Sequence, residues 1–278
     1  MSAEGSFNAM RLLITGASGF LGSAVVESLS SRLTQTITAL HWRQAAHGSL
    51  LSRECRQTLL DEFKPDTVLH LAWQSTSSPM YETHPEHYDW SRATLEFLTE
   101  CSKRSISFLC AGSAIDDRQG SISHLDSSSY LESKRLLKDR FSTIMQSQNS
   151  TTWLQIQYAF SVAAMRPRLL RAVIESQSPH DFRPDNPDAL HDFIHIDDVA
   201  NAITSVLLHG ITSEISIGTG FMISTADFVE AVKFQCGYRK TKPSMNVLQS
   251  ASTINRLTAL GWSPTASCQF LGIEAHGS

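Results

Sequence analysis

The chain has 278 residues, 41 % of them hydrophobic, enough to bury a sizeable core as one large α/β unit or as a domain with a smaller lobe. Lysine and arginine number 23 against 27 aspartate and glutamate, a net charge of −4, and no basic stripe forms that would track a phosphate backbone, so nucleic acid is not an expected partner. No apolar run approaches the roughly 20 residues that span a bilayer, and the N-terminus lacks the basic start and apolar centre of a secretory signal, so a cytoplasmic protein without membrane contact is expected.

Residues 1–9 read as an expression remnant, because the first strand pattern begins immediately after them. From Met10 to about Tyr158, apolar runs alternate with amphipathic helical stretches, the pattern of a doubly wound parallel sheet. Strands are expected at Arg11 to Thr15, Thr36 to His41, Thr67 to Ala72, Ser107 to Ala111 and Thr152 to Tyr158. Helices are expected at Phe20 to Arg32, Gln57 to Phe63, Tyr88 to Arg104 and Tyr130 to Gln146. The polar stretch Gln44 to Arg56 offers no further strand, which leaves that edge of the sheet open.

Between the first strand and the first helix stand Gly16, Gly19 and Gly22. In that order and spacing they suit a dinucleotide: Gly16 for the sharp turn, Gly19 for close approach of the backbone to a pyrophosphate, Gly22 for close packing of the helix on the sheet. The pyrophosphate would rest on the helix N-terminus, with Ser18, Phe20 and Leu21 in the same turn. Residues 10–160 therefore read as a Rossmann-type dinucleotide-binding domain, and 161–278 mainly as a smaller substrate-binding lobe interleaved with it. In the second half, Arg166 to Arg168 and Pro179 to Pro187 read as loops, and Asp192 to Asp198 leads into a helix reaching His209. A strand over Glu214 to Gly218 and a helix over Thr225 to Cys236 follow. Asp197 and Asp198, a paired acid at a helix start, read as an N-cap with favourable dipole placement and not as a metal site. Five widely spaced cysteines without a C-x-x-C pair read as reduced, with Cys110 a small buried hydrophobe.

Tyr130 and Lys134, four apart on a helix, share one face. An ammonium beside a phenol stabilises phenolate, lowering a pKa that is about 10 when unperturbed and making the tyrosine a usable general acid. Ser113 follows a strand whose C-terminal end faces the ligand crevice of such a sheet, where its hydroxyl can share a carbonyl oxygen with Tyr130. His70-Leu71-Ala72-Trp73 reaches the same crevice, with Leu71 and Ala72 expected against the cofactor, Trp73 as its cover and His70 as a packed strand residue. Tyr158, at the end of the fifth strand, is a further expected cofactor contact. No acid ends the second strand to select NAD by the ribose 2′-hydroxyl; His41 and Arg43 stand there, and a guanidinium suits the 2′-phosphate of NADP.

T-G-A-S-G-F-L-G, H-L-A-W, the downstream serine, Y-x-x-x-K and D-F-I-H-I-D-D-V-A together resemble the extended short-chain dehydrogenase/reductase superfamily, in its sugar-nucleotide epimerase/dehydratase branch. The resemblance runs from Met10 to about Pro264. It implies a catalytic set of Ser113, Tyr130 and Lys134 and a nucleotide-sugar substrate in the C-terminal lobe. Family dehydratases carry an Asp-Glu pair after the serine and epimerase-reductases a cysteine two residues after it, where this chain has Ala114 and Ile115. A 4-epimerase needs only the catalytic set but retains NAD, against which Arg43 argues. The resulting expectation is NADPH-dependent reduction of an NDP-4-keto-6-deoxyhexose, as in sugar 4-ketoreductases. The alternatives are a 4-epimerase, a reductase of a non-sugar ketone or aldehyde, and a non-catalytic dinucleotide sensor. His191 replaces the arginine that the family places before Asp-Phe to grip a diphosphate, which leaves two alternatives: Arg166 or Arg168 supplies that cation, or the substrate has no diphosphate. A homodimer through a four-helix bundle is expected, with Leu95, Leu98, Leu136 and Leu137 either in that bundle or in the chain's own core. No metal is expected.

Overall fold

A computed structural model of the chain describes residues 10–32, 37–41, 47–74, 81–114, 128–147, 150–249 and 254–274. The chain forms two compact units, the first residues 1–154 with 211–214, the second residues 155–210 with 215–278. The described elements are α/β throughout.

In the first unit, β1 (Met10–Thr15) leads into α1 (Phe20–Arg32), then β2 (Ile37–His41), α2 (Arg53–Phe63) and β3 (Thr67–His70). Next come a 3-10 turn at Tyr81–Thr83, α3 (Glu86–Lys103), β4 (Ser107–Ser113) and α4 (Ser129–Ser147). β5 (Thr151–Ile156) and β9 (Glu214–Ile217) complete a six-stranded sheet in the order β2-β1-β3-β4-β5-β9, and the division between the units falls within these two strands. β1 runs parallel to β2 and β3, and β3 parallel to β4, so four consecutive strands deliver their C-terminal ends to one edge. That edge is where open α/β sheets bind ligands.

Central strands of a parallel sheet are buried on both faces and so are uniformly apolar. Leu12, Leu13, Ile14, Val68, Leu69 and Phe108 are accordingly inaccessible to solvent. Leu98 and Leu137 are fully buried in the core of this unit, whereas Leu136 is 49 % exposed. Leu95, half-buried, packs against the same core, so three of the four leucines considered for a bundle serve the chain's own interior.

Helix α2 starts earlier than its apolar pattern indicates. Ser52 caps it by accepting from the Cys55 amide at 3.3 Å, and the buried Arg56 donates to the Leu50 carbonyl at 2.7 Å, so polar residues form its first turn. The fifth strand is also not one element. At Gln157 the amide bonds the Ile217 carbonyl at 2.9 Å, while the next amide, of Tyr158, bonds Asp192 at 3.0 Å. The chain changes partners there, and β6 (Tyr158–Phe160) pairs in parallel with β8 (Phe193–His195).

In the second unit, α5 (Arg168–Ile174) lies between the two expected loops, β7 (Leu190–His191) precedes β8, and α6 (Ile196–Leu208) follows. After β9 come β10 (Phe221–Ser224), α7 (Thr225–Gln235), β11 (Leu248–Gln249), α8 (Asn255–Thr258) and α9 (Thr265–Leu271). Phe193 and Phe228 stack with centroids 3.9 Å apart at the centre of a core that includes Phe160, Val173 and Val232.

The acidic motif before α6 does more than cap its own helix. The N-cap is His195, whose Nδ1 accepts from the Asp197 amide at 3.3 Å. Asp198 is buried and accepts from the amides of Ala266 and Ser267 at 3.1 and 2.6 Å and from the Ser267 hydroxyl, thereby capping α9 instead. Asp192, also buried, accepts from the amides of Thr219 and Gly220 at 2.7 and 3.0 Å and fixes the β9–β10 turn. The expected paired N-cap is therefore corrected: Asp197 and Asp198 lie in the first turn of α6, as favourable dipole placement requires, but its N-cap is His195.

Candidate active site

The turn between β1 and α1 is as tight as its glycines suggest. Gly16 has φ +74°, and a Cβ there would come within 2.7 Å of the Ala72 amide nitrogen, so the turn lies against the chain leaving β3. At Gly22 a Cβ would meet the Gly16 carbonyl oxygen at 2.0 Å; its smallness lets α1 pack closely on the turn. A Cβ at Gly19 would meet only the Gly16 carbonyl oxygen, at 3.2 Å. The turn thus presents open backbone at the start of α1, whose first-turn amides have no partner within the helix. This cradle fits a dinucleotide pyrophosphate, with Ser18 and Gly19 exposed and Phe20 and Leu21 half-buried around it.

A chain of hydrogen bonds braces the floor of that turn. The Thr15 hydroxyl meets His70 Nδ1 at 2.8 Å, and His70 Nε2 meets the Thr94 hydroxyl at 3.0 Å. Thr94 donates to the Trp90 carbonyl at 2.8 Å, so its oxygen accepts from His70, and the imidazole carries its hydrogen on Nε2. Burial, with the nearby Lys134 and Arg56 charges, holds His70 neutral, its pKa pushed down to about 3. His70 is a packed strand residue.

Ser113 is the last residue of β4, within the strand. Tyr130 lies in the first turn of α4, and Lys134, one turn later, donates from Nζ to the Ala111 carbonyl at 3.3 Å. This bond ties the Tyr130–Lys134 face of α4 to the same strand end that carries Ser113. The Lys134 ammonium also lies 3.6 Å from the centroid of the Trp73 ring, a cation–π contact, and Trp73 meets Tyr130 edge-on at 6.4 Å. The ends of β3 and β4 and the start of α4 therefore bring Ser113, Tyr130, Lys134 and Trp73 into one neighbourhood. Leu71 and Ala72 lie on the stretch that backs the glycine turn.

Two residues beside Tyr130 carried no sequence signal. Tyr81 and His87 place their rings 5.4 and 5.2 Å from it. They come from a segment without helical or strand periodicity and from the first turn of α3, so no spacing rule points to them. The segment is held by Ser128 and Ser129, which donate to the Glu82 carbonyl at 3.1 and 3.2 Å immediately ahead of Tyr130.

Of the other expected contacts, His41 ends β2 and is half-buried, while Arg43 and Ile115 lie outside the described residues. In the second unit, the Tyr158 and His191 rings pack at 4.1 Å, and Arg166 and Arg168 are exposed at and before the start of α5. Among the described residues no group of three His, Cys, Asp or Glu side chains is placed to hold a metal ion, and no helix is long and apolar enough to cross a membrane.

The family model described as "NAD dependent epimerase/dehydratase family" matches residues 12–218. The chain belongs to this family. No curated protein was found to match it. Among solved structures, the epimerase/dehydratase chain is similar to a GDP-mannoheptose C4 reductase from Campylobacter jejuni with NADP bound, at 16 % identity over 96 % of this chain and 98 % of that one, TM-score 0.70. It is similar to the Thermus thermophilus UDP-glucose 4-epimerase in complex with NAD, at 20 % identity over 92 % and 94 %, TM-score 0.64. A dTDP-4-dehydrorhamnose reductase from Clostridium acetobutylicum gives 14 % identity over 82 % and 81 %, TM-score 0.65. These structures share their fold with this chain, and the family to which it belongs is one of NAD-dependent epimerases and dehydratases.

Proposed function

We propose that the protein is an NADPH-dependent reductase of the keto group of a nucleotide-linked 4-keto-6-deoxy sugar. The observation that carries this reading is the Lys134–Ala111 bond, which joins the Tyr130–Lys134 helix face to the strand end bearing Ser113. After that serine come Ala114 and Ile115, neither of which can move a proton, so the residues present support carbonyl reduction and not elimination or epimerisation through a second acid–base pair. A C4 reductase solved with NADP shares the fold, which is compatible with this chemistry.

When bound, the nicotinamide supplies hydride to the keto carbon. Tyr130 donates the proton from its phenol to the carbonyl oxygen, and Ser113 hydrogen-bonds that oxygen and orients it. Lys134 stabilises the phenolate left behind and holds the cofactor ribose hydroxyls. Gly16, Ser18, Gly19, Phe20, Leu21 and Gly22 form the pyrophosphate cradle, with Leu71, Ala72, Trp73 and Tyr158 as further cofactor contacts. His41 and Arg43 are assigned to the 2′-phosphate that distinguishes NADP from NAD. Residues 10–160 would then serve the dinucleotide and 161–278 mainly the substrate, with Arg166, Arg168 and His191 assigned to it. The outer face of α3 and α4, where Tyr88 is 39 % and Leu136 49 % exposed, is assigned to a homodimer contact. A cytoplasmic location goes with such a substrate.

Titration with NADPH and NADH, then of the loaded protein with free CDP, GDP and dTDP, tests the reading. It expects tighter NADPH binding, binding of at least one nucleotide, and NADPH consumption with a 4-keto-6-deoxy sugar nucleotide. Indifference to all three nucleotides would refute the sugar-nucleotide assignment.

A further inference from the structure

His87 has no place in the chemistry above, yet it is fully buried and its ring lies 5.2 Å from that of Tyr130. Both of its nitrogens are used. The Trp73 indole N–H reaches His87 Nδ1 at 3.0 Å, and an indole nitrogen only donates, so Nδ1 accepts. The hydrogen of the neutral ring is then on Nε2, which donates to the Tyr81 carbonyl at 2.6 Å. The imidazole and indole planes lie nearly parallel, 13° apart, so the bond fixes both the position and the tilt of Trp73. The indole face so oriented is the one that takes the Lys134 ammonium at 3.6 Å.

We propose that His87 is a positioning residue that acts through Trp73, holding the indole face on which the Lys134 ammonium rests beside Tyr130. The inference deepens the reading given above, in that it takes Tyr130 and Lys134 as the reacting pair. Trp73, expected only to cover the cofactor, also forms a two-point mount for the ammonium together with the Ala111 carbonyl. A lysine chain has four rotatable bonds, and two fixed attachment points remove most of the freedom that would let its charge drift from the phenol. Burial lowers the proton affinity of His87, with His84 and Lys134 adding to the shift and the Tyr81 bond and Glu86 opposing it, so the acceptor state that Trp73 requires is the favoured one.

Ultraviolet titration of the Tyr130 phenolate, isolated by difference against Tyr130→Phe, reads the mount directly and needs neither cofactor nor substrate. It therefore decides this inference separately from the NADPH and nucleotide titrations that decide the reading above. Trp73→Leu, which deletes the face, should raise the phenolate midpoint by about threefold in proton affinity, the size of one cation–π contact. Trp73→Phe keeps a face but loses the indole N–H and should move it part of the way. His87→Phe cuts the same bond from the other side, and the double variant Trp73→Phe/His87→Phe should go no further than the larger single change. His87→Gln, which can still accept from Trp73, should restore much of the parent midpoint. Should His87→Phe fail to fold, the two Trp73 variants carry the test. An unmoved midpoint in folded Trp73→Leu, or full additivity in the double variant, would overturn the proposal.

Discussion

Gly22 stands so close to Gly16 that a methyl group on its α-carbon would lie 2.0 Å from the Gly16 carbonyl oxygen. The contact is with backbone, which has no side-chain rotamer to yield. Gly22→Ala is therefore expected to destabilise the protein by about 3 kcal/mol and to abolish dinucleotide binding, because only movement of the turn relieves the overlap. Urea unfolding together with NADPH titration measures both effects, and retention of full affinity would show that the turn tolerates rearrangement.

Removing the phenolic hydroxyl tests the assigned acid. Tyr130→Phe should lower kcat by roughly 10²–10⁴-fold while leaving NADPH affinity nearly unchanged, since a general acid contributes in the transition state and not to cofactor binding. Lys134→Met should lower kcat and also weaken NADPH, because the same ammonium is assigned to the ribose. Steady-state kinetics and fluorescence titration of the two variants separate these outcomes.

Cofactor choice rests on Arg43, just beyond the end of β2. Arg43→Asp should weaken NADPH by about 10- to 100-fold, the worth of charge-assisted hydrogen bonds to a phosphate, and should leave NADH unchanged or improved. Equal losses for the two dinucleotides would remove the phosphate clamp.

The buried His70 makes stability depend on pH. Its folded pKa of about 3 lies below the unfolded value of 6.5, so below about pH 6.5 the unfolded chain takes up a proton that the native chain refuses. The stabilisation is complete above that pH and declines as the pH falls towards 3. Between about pH 7.5 and about pH 5 the loss should be about 2 kcal/mol. His70→Asn should flatten this slope in urea unfolding at the two pH values, and an unchanged slope would assign it to other groups.

Much of the first unit could be read from local spacing. The three glycines placed β1 and α1 because each is required within a few residues of the next, and α1 spans Phe20–Arg32 as its pattern predicts. Tyr130 and Lys134 share a helix face by periodicity alone, and the alternation of apolar and amphipathic runs marks the parallel sheet. Features built on distant partners stayed hidden. The partner of Asp198 is Ser267, 69 positions downstream, and the acceptor of the Trp73 indole N–H is His87, 14 positions on, which no spacing rule connects to it. The first turn of α2 was hidden for another reason: a serine cap and a buried arginine hold it, where an apolar stripe would have announced it.

The two buried carboxylates of the second unit also set an order of events during synthesis. Asp192 waits 27 residues for Thr219, but Asp198 waits 69 for Ser267, so Asp198 is satisfied only once nearly the whole lobe has been synthesised. A nascent chain halted before Ala266 would lack every α9 amide that Asp198 accepts from, so the docking of α9 on α6 is a late step in the closure of this lobe.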